Sequence, residues 1–201
     1  FVRSELISQA LKIYQPKGRT DDRPVEIAFF GGNFLGLAHE SIIELLTAAS
    51  KWIDQGRVDS IRFSTRPDTI DAQRMKLIAP FPVKTIEIGA QSMDDGALEA
   101  SKRGHNTEDT VRAFRRVKEG HYRIGIQLMV GLPGESEQAI VMNSTAIGKL
   151  APHFVRIYPT LVLAGSPLAK VFRSGQYQPL TLDEAVRKSA ILASGFLKNG
   201  I

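Results

Sequence analysis

The amino-acid sequence predicts an α/β chain, a partial parallel (β/α) barrel that lacks its first strand. Three observations carry this. Short β-branched runs alternate with amphipathic helical stretches, the connections between them are short, and five strand–helix units follow an opening helix that has no strand before it. Alternation with short loops demands parallel strands wound in one hand. A complete eight-unit barrel takes about 250 residues, whereas this chain has 201. A doubly wound open sheet is the alternative that the same alternation allows. No internal linker or low-complexity run divides the chain, so residues 1–201 read as one domain.

The elements follow in order. Ser4 to Tyr14 has Leu6, Ile7, Ala10, Leu11 and Tyr14 at helical spacing, with Ser4 as N-cap, and a polar loop runs from Pro16 to Pro24. Val25 to Phe30 is a strand that enters Gly31-Gly32. His39 to Asp54 is a helix whose buried side is Ile42, Ile43, Leu45, Leu46, Ala49, Trp52 and Ile53. Ser60 to Thr65 is a strand stopped by Arg66-Pro67-Asp68, and Ile70 to Ile78 a short helix. Lys84 to Gly89 is the third strand, ending at Ala90-Gln91-Ser92. Asp94 to Ser101 and Thr107 to Glu119 are helices, the second started by Asn106 or Thr107 with Glu108 and Asp109, and closed at Gly120. Tyr122 to Val130 is a strand, Glu135 to Leu150 a helix and Phe154 to Tyr158 the fifth strand. Leu168 to Ser174 is a helical turn. Thr181 to Lys198 is a helix with Thr181 and Glu184 in capping-box register.

Composition narrows the class. No apolar run approaches the roughly 20 residues that span a bilayer, and Phe1 to Glu5 has no signal-peptide character. We therefore expect a cytoplasmic protein without membrane contact. The opening residues, without Met and entering a helical pattern at once, read as a cut end. The formal charge of +5 is spread over the chain, which permits a polyanion partner without pointing to one. There is no cysteine, which excludes disulfides and thiolate-held metal within the chain.

Ligands of parallel sheets and barrels gather at the carboxyl ends of strands. Those ends are Gly31-Gly32-Asn33-Phe34, Ser64-Thr65-Arg66-Pro67-Asp68, Gly89-Ala90-Gln91-Ser92, Gly131-Leu132-Pro133-Gly134-Glu135 and Tyr158-Pro159-Thr160. Gly31-Gly32 lets backbone groups approach a ligand, carbonyls toward an ammonium for instance, or simply makes a turn. Gln91 and Ser92 offer neutral donors and acceptors, or cap the next helix. Arg103, in Arg103-Gly104-His105, suits a carboxylate or complements a helix end. Gly131-Leu132 and Tyr158 offer a floor and an edge for a flat ring, or a turn and core packing. The four His residues form no zincin pair, and no phosphate-binding or dinucleotide-binding glycine loop is present.

Taken in order, these pieces resemble the radical S-adenosylmethionine (SAM) superfamily over nearly the whole chain. The matching pieces are Phe29-Phe30-Gly31-Gly32-Asn33-Phe34, Ser64-Thr65-Arg66-Pro67-Asp68, Ile88-Gly89-Ala90-Gln91-Ser92-Met93, Arg103-Gly104-His105-Asn106, Met129 to Gly134 and Arg156 to Leu161. The pattern is most similar to the radical SAM domain of Elongator-type tRNA-modifying enzymes and their short bacterial relatives, with oxygen-independent coproporphyrinogen III oxidases next. The resemblance implies a partial barrel of the radical SAM type. It implies SAM bound beside a 4Fe–4S cluster that three cysteines hold, an external electron donor, and a 5′-deoxyadenosyl radical that abstracts hydrogen from substrate, a tRNA or a small molecule. It implies that Gly31, Gly32 and Asn33 meet the SAM amino group through backbone and that Arg103 meets its carboxylate. Gln91, Gln127 and Ser64 then stand at polar SAM contacts, and Met129, Gly131, Leu132 and Tyr158 edge the adenine.

The sequence departs from that pattern in places. Asn33 replaces the more usual Thr, while Ser64 and Gln127 replace carboxylates. The cysteine loop is absent, and we expect it upstream of Phe1, so that this chain is a fragment inactive on its own. An exposed sheet edge where the first strand is missing predicts self-association of the fragment. Two readings compete. One is a cluster-free RNA- or protein-binding module on the same barrel. The other is a barrel enzyme with a phosphate-bearing substrate, for which Gly165-Ser166-Pro167 is the candidate site.

Overall fold

A computed structural model describes residues 24–201 together with Gln9, so the helix expected over Ser4 to Tyr14 and the loop after it lie outside the described residues, apart from Gln9 and Pro24. Five strands, β1 (Glu26–Phe29), β2 (Ser60–Thr65), β3 (Val83–Gln91), β4 (Arg123–Val130) and β5 (Phe154–Pro159), form one sheet in the order β1-β2-β3-β4-β5. Every neighbouring pair is parallel. A doubly wound sheet reverses strand order at a switch point, so the sequential order decides for the barrel. The helices are α1 (His39–Asp54), α2 (Ala72–Ile78), α3 (Asp95–Ala100), α4 (Thr107–Glu119), α5 (Glu137–Leu150), α6 (Pro167–Arg173) and α7 (Leu182–Lys198). None of the described helices is long and apolar enough to cross a membrane.

Each strand alternates between two environments, as the period of two requires. Ile61, Phe63, Ile86, Ile88, Ile124, Ile126 and Leu128 point to the helices and share a core with Leu35, Ile42, Leu46, Phe114 and Val117. Residues between them, among them Arg62, Ser64, Glu87, Gln127 and Arg156, face the other side and bond to one another. That side is concave. In a flat sheet, four strand spacings would hold β1 and β5 roughly 19 Å apart. Here the Arg156 guanidinium of β5 lies 5.8 Å from the ring of Phe30, which follows β1. The sheet has curled until its two edges reach across the hollow.

Local chemistry sets the boundaries. Asn106 and Asp109 form the capping box that starts α4, and Thr181 and Glu184 the one that starts α7. Helix α2 starts later than the spacing suggests, because Pro67–Thr69 makes a 3-10 turn and Asp71 caps at Arg74 N. The turn after α4 is made by His121, at φ 58°, whereas Gly120 keeps φ −83°. Ile43 of α1 is exposed rather than core, since the helix turns Ile42, Leu45, Leu46 and Ala49 inward. Strand β3 runs two residues beyond Gly89, with a register shift between Ile88 and Gln91.

Candidate functional site

An ionic ladder crosses the concave face. Glu26 of β1 accepts from Ser60 Oγ at 3.0 Å and from the Arg62 guanidinium at 3.2 Å. Arg62 also pairs with Glu87, whose side chain is almost wholly buried. The other oxygen of Glu87 accepts from Gln127 Nε2 at 2.8 Å and pairs with Arg156 Nε at 3.3 Å. The Gln127 amide also donates to Ser64 Oγ at 2.9 Å. Burying Glu87 is tolerable because two guanidiniums and an amide replace its water shell. The hydrogen bond with Tyr158, then burial and Glu87, shape the titration of Arg156, which is held above the usual guanidinium value.

An aromatic ring lies across the amino-terminal end of the hollow. A side chain on Gly125 would strike the Phe154 ring, 2.4 Å from its Cζ, so glycine lets that ring lie across β4. Arg62 and Arg123 stand 5.5 Å and 5.1 Å from the same ring. The carboxyl ends of the strands lie at the opposite end of the hollow from this ring.

At that end the predicted residues come together in two groups. In the first, Gly31 and Gly32 present bare backbone, with no atom within 4 Å of the place a Cβ would occupy and with Gly32 at φ +100°. Asn33 behind them is a tie. Its Oδ1 accepts from Thr65 Oγ1 at 2.9 Å, Arg66 N at 3.2 Å and Thr69 Oγ1 at 2.8 Å. The Asn33 side-chain carbonyl oxygen is thus spent on the fold. Gly31, Asn33 and Ser64 line a cavity of about 270 Å³ with Phe29, Phe30 and Leu37.

The second group is built on β3 and β4. Gln91 ends β3 at φ 65°, and its amide fills the space over Gly89, 2.8 Å from where a Cβ would stand. Ser92 is fully buried, accepts from Asp94 N at 3.1 Å and so belongs to the turn into α3. Arg103 reaches back to Met129, with a terminal guanidinium nitrogen 2.8 Å from the sulfur. Its Nε is buried without a hydrogen-bond partner, and Arg103 has no carboxylate partner among the described ion pairs. Burial, and then repulsion from Arg66, lower its affinity for its proton. This cation is primed for an anion.

Gly131, at φ +80°, turns the chain after β4, and Leu132 beside it is buried. Tyr158 follows on β5, half-buried, its hydroxyl accepting from Arg156 at 3.4 Å. The candidate phosphate site at Gly165-Ser166-Pro167 is otherwise engaged, because Ser166 caps the seven-residue α6 at Ala169 N. A larger hollow of about 580 Å³ between α3 and α4, lined by Asp95, Glu99, His105 and Asp109, contains no predicted site residue.

The residues fit one implied group and not the other. A zwitterionic amino acid joined to a nucleoside matches an unpaired guanidinium, bare glycine backbone and neutral amides arranged around one rim. For a 4Fe–4S cluster the chain has no cysteine. Among the described residues no three His, Asp or Glu side chains are placed to hold a metal.

A curled parallel sheet, lined by polar groups on its concave face and with glycine-rich strand ends, defines a partial (β/α) barrel. Comparison with known proteins gives its family. The model of the radical SAM superfamily matches residues 10–142, and that of the radical SAM C-terminal domain matches residues 152–201. The chain belongs to the radical SAM superfamily, a superfamily of enzymes. It is 29% identical over 133 residues to the tRNA uridine(34) acetyltransferase of Methanocaldococcus jannaschii, covering 65% of this chain and 25% of that protein. It is 23% identical over 203 residues to the heme chaperone HemW of Bacillus subtilis, covering all of this chain and 52% of that one. The fold of Methanocaldococcus infernus Elp3 with an N-terminal deletion superposes with a TM-score of 0.76 at 23% identity, over 95% of this chain and 48% of that one. Coproporphyrinogen III oxidase (HemN) from Escherichia coli gives 0.68 at 13% identity, over 87% and 40%. The chain thus spans a quarter to about half of these relatives, and the two structural likenesses establish the fold alone.

Sequence reasoning missed Glu26, Arg62, Glu87 and Arg156, the ladder beneath the site. The signal was available. The runs Ser60-Ile61-Arg62-Phe63-Ser64 and Thr85-Ile86-Glu87-Ile88 alternate polar with apolar residues, whereas parallel strands buried on both faces read as continuous apolar runs. Alternation on a parallel strand marks the face that lines a polar hollow.

Proposed function

We propose that this chain is the SAM-holding wall of a radical SAM enzyme whose cluster cysteines lie outside it, with residues 1–201 acting as one partial-barrel unit. The observation that supports this best is Arg103, a half-buried guanidinium with no carboxylate partner among the described residues, facing Met129. In this reading Arg103 takes the SAM carboxylate and the Gly31-Gly32-Asn33 backbone takes the amino group. Gln91 and Gln127, the latter oriented by Glu87 and Ser64, face the ribose, and Met129, Gly131, Leu132 and Tyr158 edge the adenine. A reduced 4Fe–4S cluster held by residues outside this chain would supply the electron that splits SAM into methionine and a 5′-deoxyadenosyl radical, and that radical would take a hydrogen atom from substrate. The chain's own part is to orient SAM and, through Phe154 and the ionic ladder, to line the floor. A tRNA or a small molecule as substrate, an external electron donor and a cytoplasmic setting complete the proposal. The first is supported by the tRNA named in the acetyltransferase relatives. The edge of β1, which has no further strand among the described residues, would accept another strand or a second copy.

Titration of SAM into the intact natural protein, followed calorimetrically, tests the site. Saturable binding that Arg103→Ala weakens is expected, and absence of binding would refute it. A cluster-free RNA-binding module, which the net charge of +5 favours, would instead bind RNA with a steep salt dependence and ignore SAM.

A further inference from the structure

The loop Gly131-Leu132-Pro133-Gly134 is held from one side by residues outside the SAM contacts proposed above. Gly131 N donates to Glu135 Oε2 at 2.8 Å, and Gly131 O accepts from the Tyr177 hydroxyl at 2.7 Å. The same carboxylate oxygen receives Lys188 Nζ at 3.1 Å, and both side chains of this pair are buried. Leu180 presses on the bare α-carbon, its Cγ and a Cδ 2.8 Å from where a Cβ would stand. Both polar backbone groups of Gly131 are therefore tied to a carboxylate and a phenol. Lys188, Tyr177 and Leu180 all come from the segment that matches the radical SAM C-terminal domain.

Stability alone does not account for this arrangement. Glu135 Oε1 is buried and has no hydrogen-bond partner, and an orphaned carboxylate oxygen is costly. An ion pair of this size often contributes no more than apolar residues of the same volume would. The carboxylate stands where it meets Gly131 N, at the expense of its own second oxygen. Burial, and then the charge of Glu135, raise the proton affinity of Tyr177 and keep its hydroxyl a donor.

We propose that Glu135, Lys188 and Tyr177 form a latch that fixes the Gly131 peptide beneath the adenosyl part of bound SAM, as positioning residues of the site. The proposal rests on the SAM reading above. Two double variants of the intact natural protein separate position from stability, E135Q/K188M and E135A/K188M. Both delete the buried ion pair, and only the first keeps an acceptor for Gly131 N–H. Amide exchange of the peptide over residues 129–133 and equilibrium dialysis of SAM are the readouts, with Tyr177→Phe as an independent arm. E135Q/K188M should match the wild type within about twofold in Kd. E135A/K188M should exchange faster at Gly131 and bind SAM about tenfold more weakly at a similar melting temperature, the loss expected for one hydrogen bond that orders the loop. Tyr177→Phe should shift both readouts in the same direction. If wild type binds SAM and all variants bind it equally, or both double variants weaken alike, the latch is overturned. If wild type does not bind SAM, the site reading falls and this role with it.

Discussion

Replacing Arg103 by Ala should change ligand affinity strongly and stability little. The guanidinium lies half-buried against Met129, its Nε has no partner, and burial and Arg66 both disfavour its charge. Without ligand, the protein bears that cost and receives no ion pair in return among the described residues. Removing the group relieves repulsion while forfeiting some packing of the aliphatic stem, so the melting temperature should move by less than about 3 °C. With SAM present, the carboxylate loses a charge-assisted fork worth about 1.5–3 kcal/mol. That corresponds to a rise in Kd of roughly 10- to 150-fold. Arg103→Lys keeps the charge without the fork and should fall between. Thermal denaturation with and without saturating SAM reads both effects at once. An unchanged Kd, or a ligand-free protein destabilised by more than about 2 kcal/mol, would show that Arg103 belongs to the scaffold.

Other expectations follow from the same geometry. Glu87→Ala strips Arg156 of its carboxylate and Arg62 of one of two, and should cost about 3–5 kcal/mol in urea denaturation; an unmoved midpoint would count against the ladder. Asn33→Ala removes the acceptor shared by Thr65, Arg66 and Thr69, and a loss of about 1–3 kcal/mol is expected. Gly32→Ala meets no atom but must hold φ +100°, which should cost about 1–2 kcal/mol; a neutral result would mean the loop relaxes freely. Tyr177 ionises at higher pH folded than unfolded, through burial first and Glu135 second. Its stabilising contribution is complete below about pH 10, where the unfolded phenol is still protonated, and is lost as pH rises through the folded value. Tyr177→Phe should flatten that alkaline decline, and an identical pH profile would remove the group from it.

The fold was legible because barrel units are local. Alternating strand and helix signals, the Asn106–Asp109 and Thr181–Glu184 boxes and the turn at Pro67 each act within a few residues, and α1, β2 and α4 fall where spacing places them. Boundaries slipped where tertiary contact overrides spacing. Gln91 takes a left-handed backbone inside a strand end, and His121 replaces Gly120 at the turn. The site was legible only as strand ends. Gly31 and Ser64 line one cavity, Gln127 bonds Ser64 and Arg103 meets Met129, because parallel strands deliver their carboxyl ends to one side of the sheet. The contacts that join Glu26 to Thr85, Asn33 to Thr69 or Gly131 to Tyr177 span 59, 36 and 46 residues, and no local pattern encodes such pairings. Glu135 carried a readable hint, following directly on the glycine loop, but its partner Lys188 sits 53 residues on in α7.

The most direct test is anaerobic incubation of the intact natural protein with iron and sulfide, followed by electron paramagnetic resonance of the reduced sample with and without SAM. A 4Fe–4S signal that SAM perturbs in the wild type, and perturbs only at much higher SAM concentration in Arg103→Ala, is the predicted result. Failure to assemble a cluster, or a signal indifferent to SAM, would contradict a SAM-holding wall and leave the barrel to bind something else.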